Sequence, residues 1–177
     1  MRLIRLIDAP LEPWRNGGGW TREIVRSPRD DTGGAFDWRL SVADVDAEGP
    51  FSRFDGCDRI LVLLSGNGLE LDSVGQPVVL RPPFGYLRFP GELPITARPI
   101  DGSTADLNLI WRRDRCTVVM REASPASPEI LGGEPQEVVV AFSVVTGATR
   151  VGDPGEQVTV GSDDREIAFV IAPIRGG

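Results

Sequence analysis

Histidine and lysine are both missing from the chain, so all 19 of its cations are arginines. The lack of lysine has a bland reading in genomic composition. The lack of histidine removes chemistry: it excludes a Ser-His-Asp triad, a Cys-His pair, imidazole acid–base catalysis and imidazole metal ligation. Cysteine is scarce as well. Cys57 and Cys116 are too few for a structural zinc site, and two unclustered cysteines read as reduced thiols. No segment approaches the ~20 apolar residues of a membrane span, and the start, "MRLIRLIDAP", lacks the apolar run of a signal peptide. The net charge of −7, from 19 basic and 26 acidic residues, argues against nonspecific binding to nucleic acid or an anionic membrane. A soluble cytoplasmic protein is the expectation.

Helical periodicity is nearly absent, and what is present is strand-like. The 21 glycines and 15 prolines punctuate short apolar runs: 21–26, 36–45, 59–66, 68–72, 77–82, 94–100 and 106–113, then 116–122, 137–145, 156–160 and 166–174. Such spacing predicts an all-β sandwich or barrel. A chain of 177 residues buries roughly 70% of its unfolded surface, enough for a core without disulfide or metal support. In "WRLSVA" Trp38, Leu40 and Val42 share one face, with Arg39, Ser41 and Ala43 on the other. Gly66-Asn67-Gly68 reads as a hairpin turn, as do "DSVGQP" and "VTGATRVGD". The polar, Pro-rich 122–136 segment reads as a linker. It divides one compact unit into a longer half, about 14–121, and a smaller half, about 137–177, which the N-terminal strand 2–7 completes.

The run "PWRNGGGWTREI", residues 13–24, poses a choice. A phosphate-cradling loop needs a helix after it, whereas "WTREIVRSP" alternates and carries β-branched residues, as a strand does. The glycines therefore read as a tight loop entering a strand, with backbone close to another element. Alternation places Thr21 and Glu23 on one face, with Arg22 and Ile24 opposite. That polar face is either solvated or turned into a barrel.

Taken with "WRNGGGWTREI" (14–24), the blocks "WRLSVA" (38–43), "GPFSRFDGCDR" (49–59), "LSGNG" (64–68) and "DLNLIWRR" (106–113) resemble the HutD/Ves family of small bacterial bicupins. The resemblance runs in order from about residue 14 to 113; the second half agrees only in length and β character. It implies an all-β, double-cupin (bicupin) β-barrel or jelly-roll fold and no established catalytic activity. Members are associated with histidine utilisation or with stress response. A role in sensing or buffering a pathway intermediate is implied, N-formylglutamate being one candidate.

A metal-binding cupin carries H-x-H-x-x-x-E ahead of a glycine turn. Counting back from Gly66 puts Arg59 at the Glu position and Arg53 and Asp55 at the two His positions. The barrel is expected to hold no catalytic metal and no cofactor. An arginine in place of a carboxylate reverses the electrostatics, because its guanidinium stays charged and suits carboxylate or phosphate. A partly buried arginine needs either an internal carboxylate or an anionic ligand. Arg59 and Arg39 each keep both readings, with Asp55, Asp58, Glu23 and Asp106 as possible internal partners of Arg59. In the ligand reading, Arg39 or Arg59 holds a small acidic metabolite, with Thr21, Ser52 and Asn108 as hydrogen-bonding groups and Glu23 and Asp106 beside them. Two other classes stay open. One is a metal-independent lyase or isomerase using Glu23 and Asp106 as acid–base groups; the other is a structural or partner-binding protein with a packed barrel. Strand edges on two partly open barrels also make a homodimer reasonable.

Overall fold

The computed structural model describes residues 1–28 and 35–174. Strands follow one another with almost no helix: among the described residues the helical content is one 3-10 turn, Leu6–Asp8. In chain order the strands are β1 (Arg2–Arg5), β2 (Leu11–Pro13), β3 (Gly19–Ser27), β4 (Trp38–Val45), β5 (Gly49–Pro50) and β6 (Cys57–Ser65). Next come β7 (Leu69–Ser73), β8 (Gln76–Leu80), β9 (Tyr86–Pro90), β10 (Thr96–Pro99) and β11 (Thr104–Arg112). The remainder are β12 (Cys116–Ala123), β13 (Glu129–Gly132), β14 (Val138–Ser143), β15 (Ala148–Val151), β16 (Gln157–Val160) and β17 (Glu166–Pro173).

The chain divides into two compact units. One spans Pro10–Arg113; the other joins Met1–Ala9 to the chain from Asp114 onward. β12, whose residues 116–121 the sequence assigns to the first half and whose last two it assigns to the linker, pairs along its whole length with β17 of the second unit. The expected linker is not structureless: its Ile130 and Leu131 belong to β13, which pairs with β16. Its proline and serine content hid a strand only four residues long. The N-terminal strand pairs with β15, inside the second unit.

The first unit is a cupin β-barrel. Its sheets run β2-β3-β4-β11-β6-β9 and β5-β10-β7-β8, all pairings antiparallel. Leu61 and Leu63 of one sheet and Leu69, Leu71, Leu80 and Ala97 of the other form its apolar core with Phe89 and Ile95. Each fully buried leucine contributes roughly 1.5–3 kcal/mol, so this end of the barrel is closed by packing. In the second unit the corresponding core is Val139, Ala141, Val158, Val160 and Ala168.

Of the three expected turns, two join paired neighbours: β7 with β8 and β14 with β15. Gly66-Asn67-Gly68 does not. β6 and β7 lie in different sheets, so this turn carries the chain from one wall of the barrel to the other. Its glycines do take the positive φ expected of them, +98° and +150°. Local sequence specified the conformation but not the partner.

The glycine run enters β3 as a strand does. Gly17 has a left-handed φ of +72°, and the Asn16 side-chain oxygen accepts the Gly18 N–H at 3.1 Å. Gly19 lies in the pairing of β3 with β4, where a Cβ would sit 2.1 Å from the Asp44 carbonyl oxygen. Backbone approach, not phosphate binding, is what the glycines serve. Gly19→Ala should therefore cost about 3 kcal/mol by forcing β3 from β4, and Gly17→Ala only about 1 kcal/mol. Urea unfolding of the two variants checks this; equal losses would refute the close-approach account.

Candidate functional site

Antiparallel pairing and side-chain alternation lay three rows of residues across the interior face of the six-stranded sheet. The first runs Arg26, Arg39, Ile110, Arg59, Phe89, and the second Glu23, Ser41, Asn108, Leu61, Leu87. The third runs Thr21, Ala43, Asp106, Leu63. Strict alternation in β3 would send Arg26 to the opposite face from Glu23. A register shift between Glu23 and Val25 prevents this: one extra residue reverses the alternation, as a β-bulge does. Ile24 and Val25 are consequently both buried, each 7% exposed.

Polar ends of these rows open on a cavity of about 400 Å³. Its wall on the sheet is Thr21, Arg39, Ser41, Ala43, Arg59, Asn108 and Ile110. The rest comes from β2 and the glycine loop (Glu12, Pro13, Trp14, Arg15, Asn16) and from the stretch after β5 (Phe51, Ser52, Phe54) with Pro50. Such a space suits a small molecule, a few precise polar groups among apolar ones.

Arg59 is 5% exposed. Its Nη2 donates to the Asn108 side-chain oxygen at 2.9 Å, and its Nη1 to the Ser52 carbonyl at 3.2 Å. The guanidinium carbon lies 5.2, 5.6 and 5.1 Å from the ring centres of Phe51, Phe54 and Phe89, close enough for cation–π attraction. The buried Nε has no hydrogen-bond partner among the described residues, and no carboxylate bonds the guanidinium directly. Burial lowers its pKa to about 10, against the pull of Asp106 and with the repulsion of Arg39. It remains a cation at neutral pH.

Arg39 is compensated differently. Its Nε lies 2.8 Å from a Glu23 oxygen, although the N–H is not aimed along a hydrogen bond. Burial lowers its pKa, opposed by Glu23. Glu23 also accepts two bonds from Arg26, at 2.5 and 2.6 Å. One carboxylate thus serves two guanidiniums.

Asp106 is fully buried. One oxygen accepts a hydrogen bond from the Asn108 amide nitrogen; the other has no partner among the described residues. Asn108 therefore stands between anion and cation, its carbonyl on Arg59 and its NH₂ on Asp106. Burial pushes the Asp106 carboxyl up to about 7; Arg59 opposes the rise and Asp44 adds to it.

The residues singled out from sequence separate into three groups. Arg39, Arg59, Thr21, Asn108 and Ser52 all line the cavity. Thr21 accepts the Trp14 indole N–H at 2.7 Å, while Ser52 reaches Arg59 through its backbone carbonyl. Glu23 and Asp106 sit behind that lining as partners of its arginine and amide groups. Arg53 and Asp55, at the positions of the metal-binding cupin's histidines, are exposed in the loop before β6. Among the described residues, no group of three or more His, Cys, Asp or Glu is placed to hold a metal ion. Ser41 was missed as a lining residue although its alternation with Arg39 was the available signal. Trp14 and Asn16 had none, because a loop has no period.

The HutD family model matches residues 7–170. A Pseudomonas putida protein described as an uncharacterized 21.2 kDa protein in the hutC 3' region is 41% identical over 115 residues, 65% of this chain and 60% of that one. The chain thus aligns with less than two thirds of that relative. Protein Ves of Citrobacter koseri is 35% identical over 159 residues, 86% of this chain and 77% of Ves. Among solved structures, HutD from Pseudomonas fluorescens SBW25, in a formate condition, superposes with a TM-score of 0.85 at 27% identity over 99% of both chains. A conserved protein of unknown function from Pseudomonas aeruginosa PAO1 gives 0.79 at 25% identity over 98% of both.

Burial of Asp106 has a consequence for stability. Its folded pKa of about 7 lies above the ordinary 3.8, so between these values the folded chain binds the extra proton. Stability contributed by this group is then fullest below about pH 4, falls as pH rises to about 7, and is level beyond. By linkage the loss is on the order of 4 kcal/mol at most. Asp106→Asn should remove this slope, so that the variant gains on the parent chain as pH rises from 4 to 7. Urea midpoints against pH check it; parallel curves would place the titrating group elsewhere.

Proposed function

The chain belongs to the HutD family, and from that premise we propose that its cupin barrel binds a small carboxylate through Arg59 and Arg39, in a sensing or buffering role. The observation that carries the reading is Arg59: a buried cation in the wall of a cavity of about 400 Å³, bonded to an amide and a carbonyl and, among the described residues, directly to no carboxylate. A buried charge in that condition gains most from an anion, since two N–H groups can meet two oxygens while desolvation strengthens the attraction. Thr21, Ser41 and Asn108 supply hydrogen-bonding groups in the same wall.

Neither Glu23 nor Asp106 lines the cavity, and Glu23 is engaged by two arginines. That placement favours binding over acid–base turnover by this pair. A cavity of this size likewise favours a binder over a barrel filled by its own side chains. The hutC-region relative and the family's tie to histidine utilisation support N-formylglutamate as a ligand to test, and the formate condition of the P. fluorescens protein adds formate. A cytoplasmic location would accompany such a role. For the membrane, the relevant fact is that no helix among the described residues is long and apolar enough to cross one.

A thermal-shift series with N-formylglutamate, glutamate, urocanate and formate tests the reading. An anion at about 100 times its Kd adds roughly 2.7 kcal/mol, a rise of about 5–11 °C at this chain length. Arg59→Met keeps an apolar stem among the three phenylalanines and should abolish the rise. No rise for any anion with folded protein, or a rise that survives in Arg59→Met, would overturn the proposal.

A further inference from the structure

Arg59 and Asp106 form a split ion pair: both charges are buried in one barrel, yet they meet only through the Asn108 amide. Each is left with an unpartnered polar atom, Nε on Arg59 and Oδ2 on Asp106, among the described residues. Two ligands of opposite charge therefore have a place here. Arg59 offers N–H groups at the cavity, and Asp106 offers a buried oxygen to a proton.

We infer that the barrel takes up a proton at Asp106 together with the anion it takes at Arg59, so that the two ligands bind cooperatively. This rests on the carboxylate reading of the cavity and adds to it a second, protonic site behind the wall. The balance is simple: one solvent proton moves to the Asp106 carboxylate, and no covalent bond other than that O–H forms or breaks.

The direction follows from which charges reach Asp106. Arg59, from β6, favours its ionised form, and Asp44, from β4, disfavours it. Its other neighbours among the described residues carry no charge. Ala43 and Leu63 are its cross-strand neighbours, Thr21 completes the row from β3, and Leu69 and Leu71 of the opposite sheet pack in the core with Leu63. Among the described residues Arg59 is thus the cation that holds the carboxylate ionised. An anion seated on Arg59 neutralises that pull and adds a negative charge, so the bound state prefers Asp106 protonated more strongly than the free state does. By reciprocity, protonated Asp106 prefers the anion. With the free carboxyl at about 7, affinity is level below about pH 6. It weakens above about pH 7, by up to about tenfold per pH unit, until the bound-state value is passed.

Calorimetric titration with N-formylglutamate and with formate, from pH 5.5 to 8.5 in buffers of different ionisation heat, reads both affinity and protons exchanged. Both anions stay ionised across this range. The expected result is a Kd that rises above pH 7 with uptake approaching one proton. In Asp106→Asn, Kd should stay level at the parent's low-pH value with no uptake, since an asparagine oxygen still accepts from Asn108. Asp44→Asn, at an exposed carboxyl, should keep the rise in Kd. Binding that is level with pH and free of proton exchange would overturn this inference while leaving the carboxylate reading standing. A pH dependence that persists in Asp106→Asn would overturn it too. Failure of both anions to bind at any pH would overturn the carboxylate reading and this inference with it.

Discussion

A single buried guanidinium organises the first barrel. Removing Arg59 from water carries a desolvation cost of several kcal/mol, and the described residues around it meet that cost without a carboxylate in contact. Three phenylalanine faces, a backbone carbonyl and an amide oxygen do so instead. Two of the rings, Phe51 and Phe54, come from the loop ahead of β6, so positioning the cation and shaping the cavity mouth are one task. Asn108 is the hinge of the arrangement. Its two-ended amide lets an Asp and an Arg share a dry interior without touching, which leaves the cation's field directed at the cavity rather than spent on a partner.

Against that interior the remainder of the sheet reads as support. Glu23 carries two arginines, keeping Arg39 in the cavity wall while limiting the positive charge accumulated there. The apolar rows of Leu61, Leu63, Leu69 and Leu71 seal one end of the barrel and lower the local dielectric in which these charges act. Low dielectric is what makes a few charges decisive: the same residues on a wet surface would contribute little.

Much of this was legible in the chain, for stated reasons. Glycine and proline punctuation marked eleven apolar runs, each of which overlaps a strand of the structure. Alternation put Asp106 with Asn108, Thr21 with Glu23, and Arg39 with Ser41, all of which the pairing confirms as same-face sets. What escaped was non-local or too short to show a period. β2, β5, β13 and β15 have two to four residues each, and β9, of five, lies in a proline-bounded stretch with no clear alternation. The sheet change at Gly66–Gly68 looks like any hairpin until partners are known. That Asp106 lies behind the wall rather than in it depends on depth along the row, which alternation does not encode. The glycine loop's contribution, Trp14 and Asn16, depends on where the chain folds back.

The bulge at Ile24 sets the phase of β3. Upstream of it odd-numbered side chains face the interior, and downstream even-numbered ones do, so Glu23 and Arg26 meet only because one residue is out of step. Deleting that residue would leave Glu23, Val25 and Arg26 in plain alternation opposite Ser41, Leu40 and Arg39, with the bulge gone and Arg26 still on the interior face. A one-residue gap at this point is accordingly a change of strand shape that leaves the interior charges where they are, whereas regular pairing of the full-length strand would turn Arg26 out of the barrel.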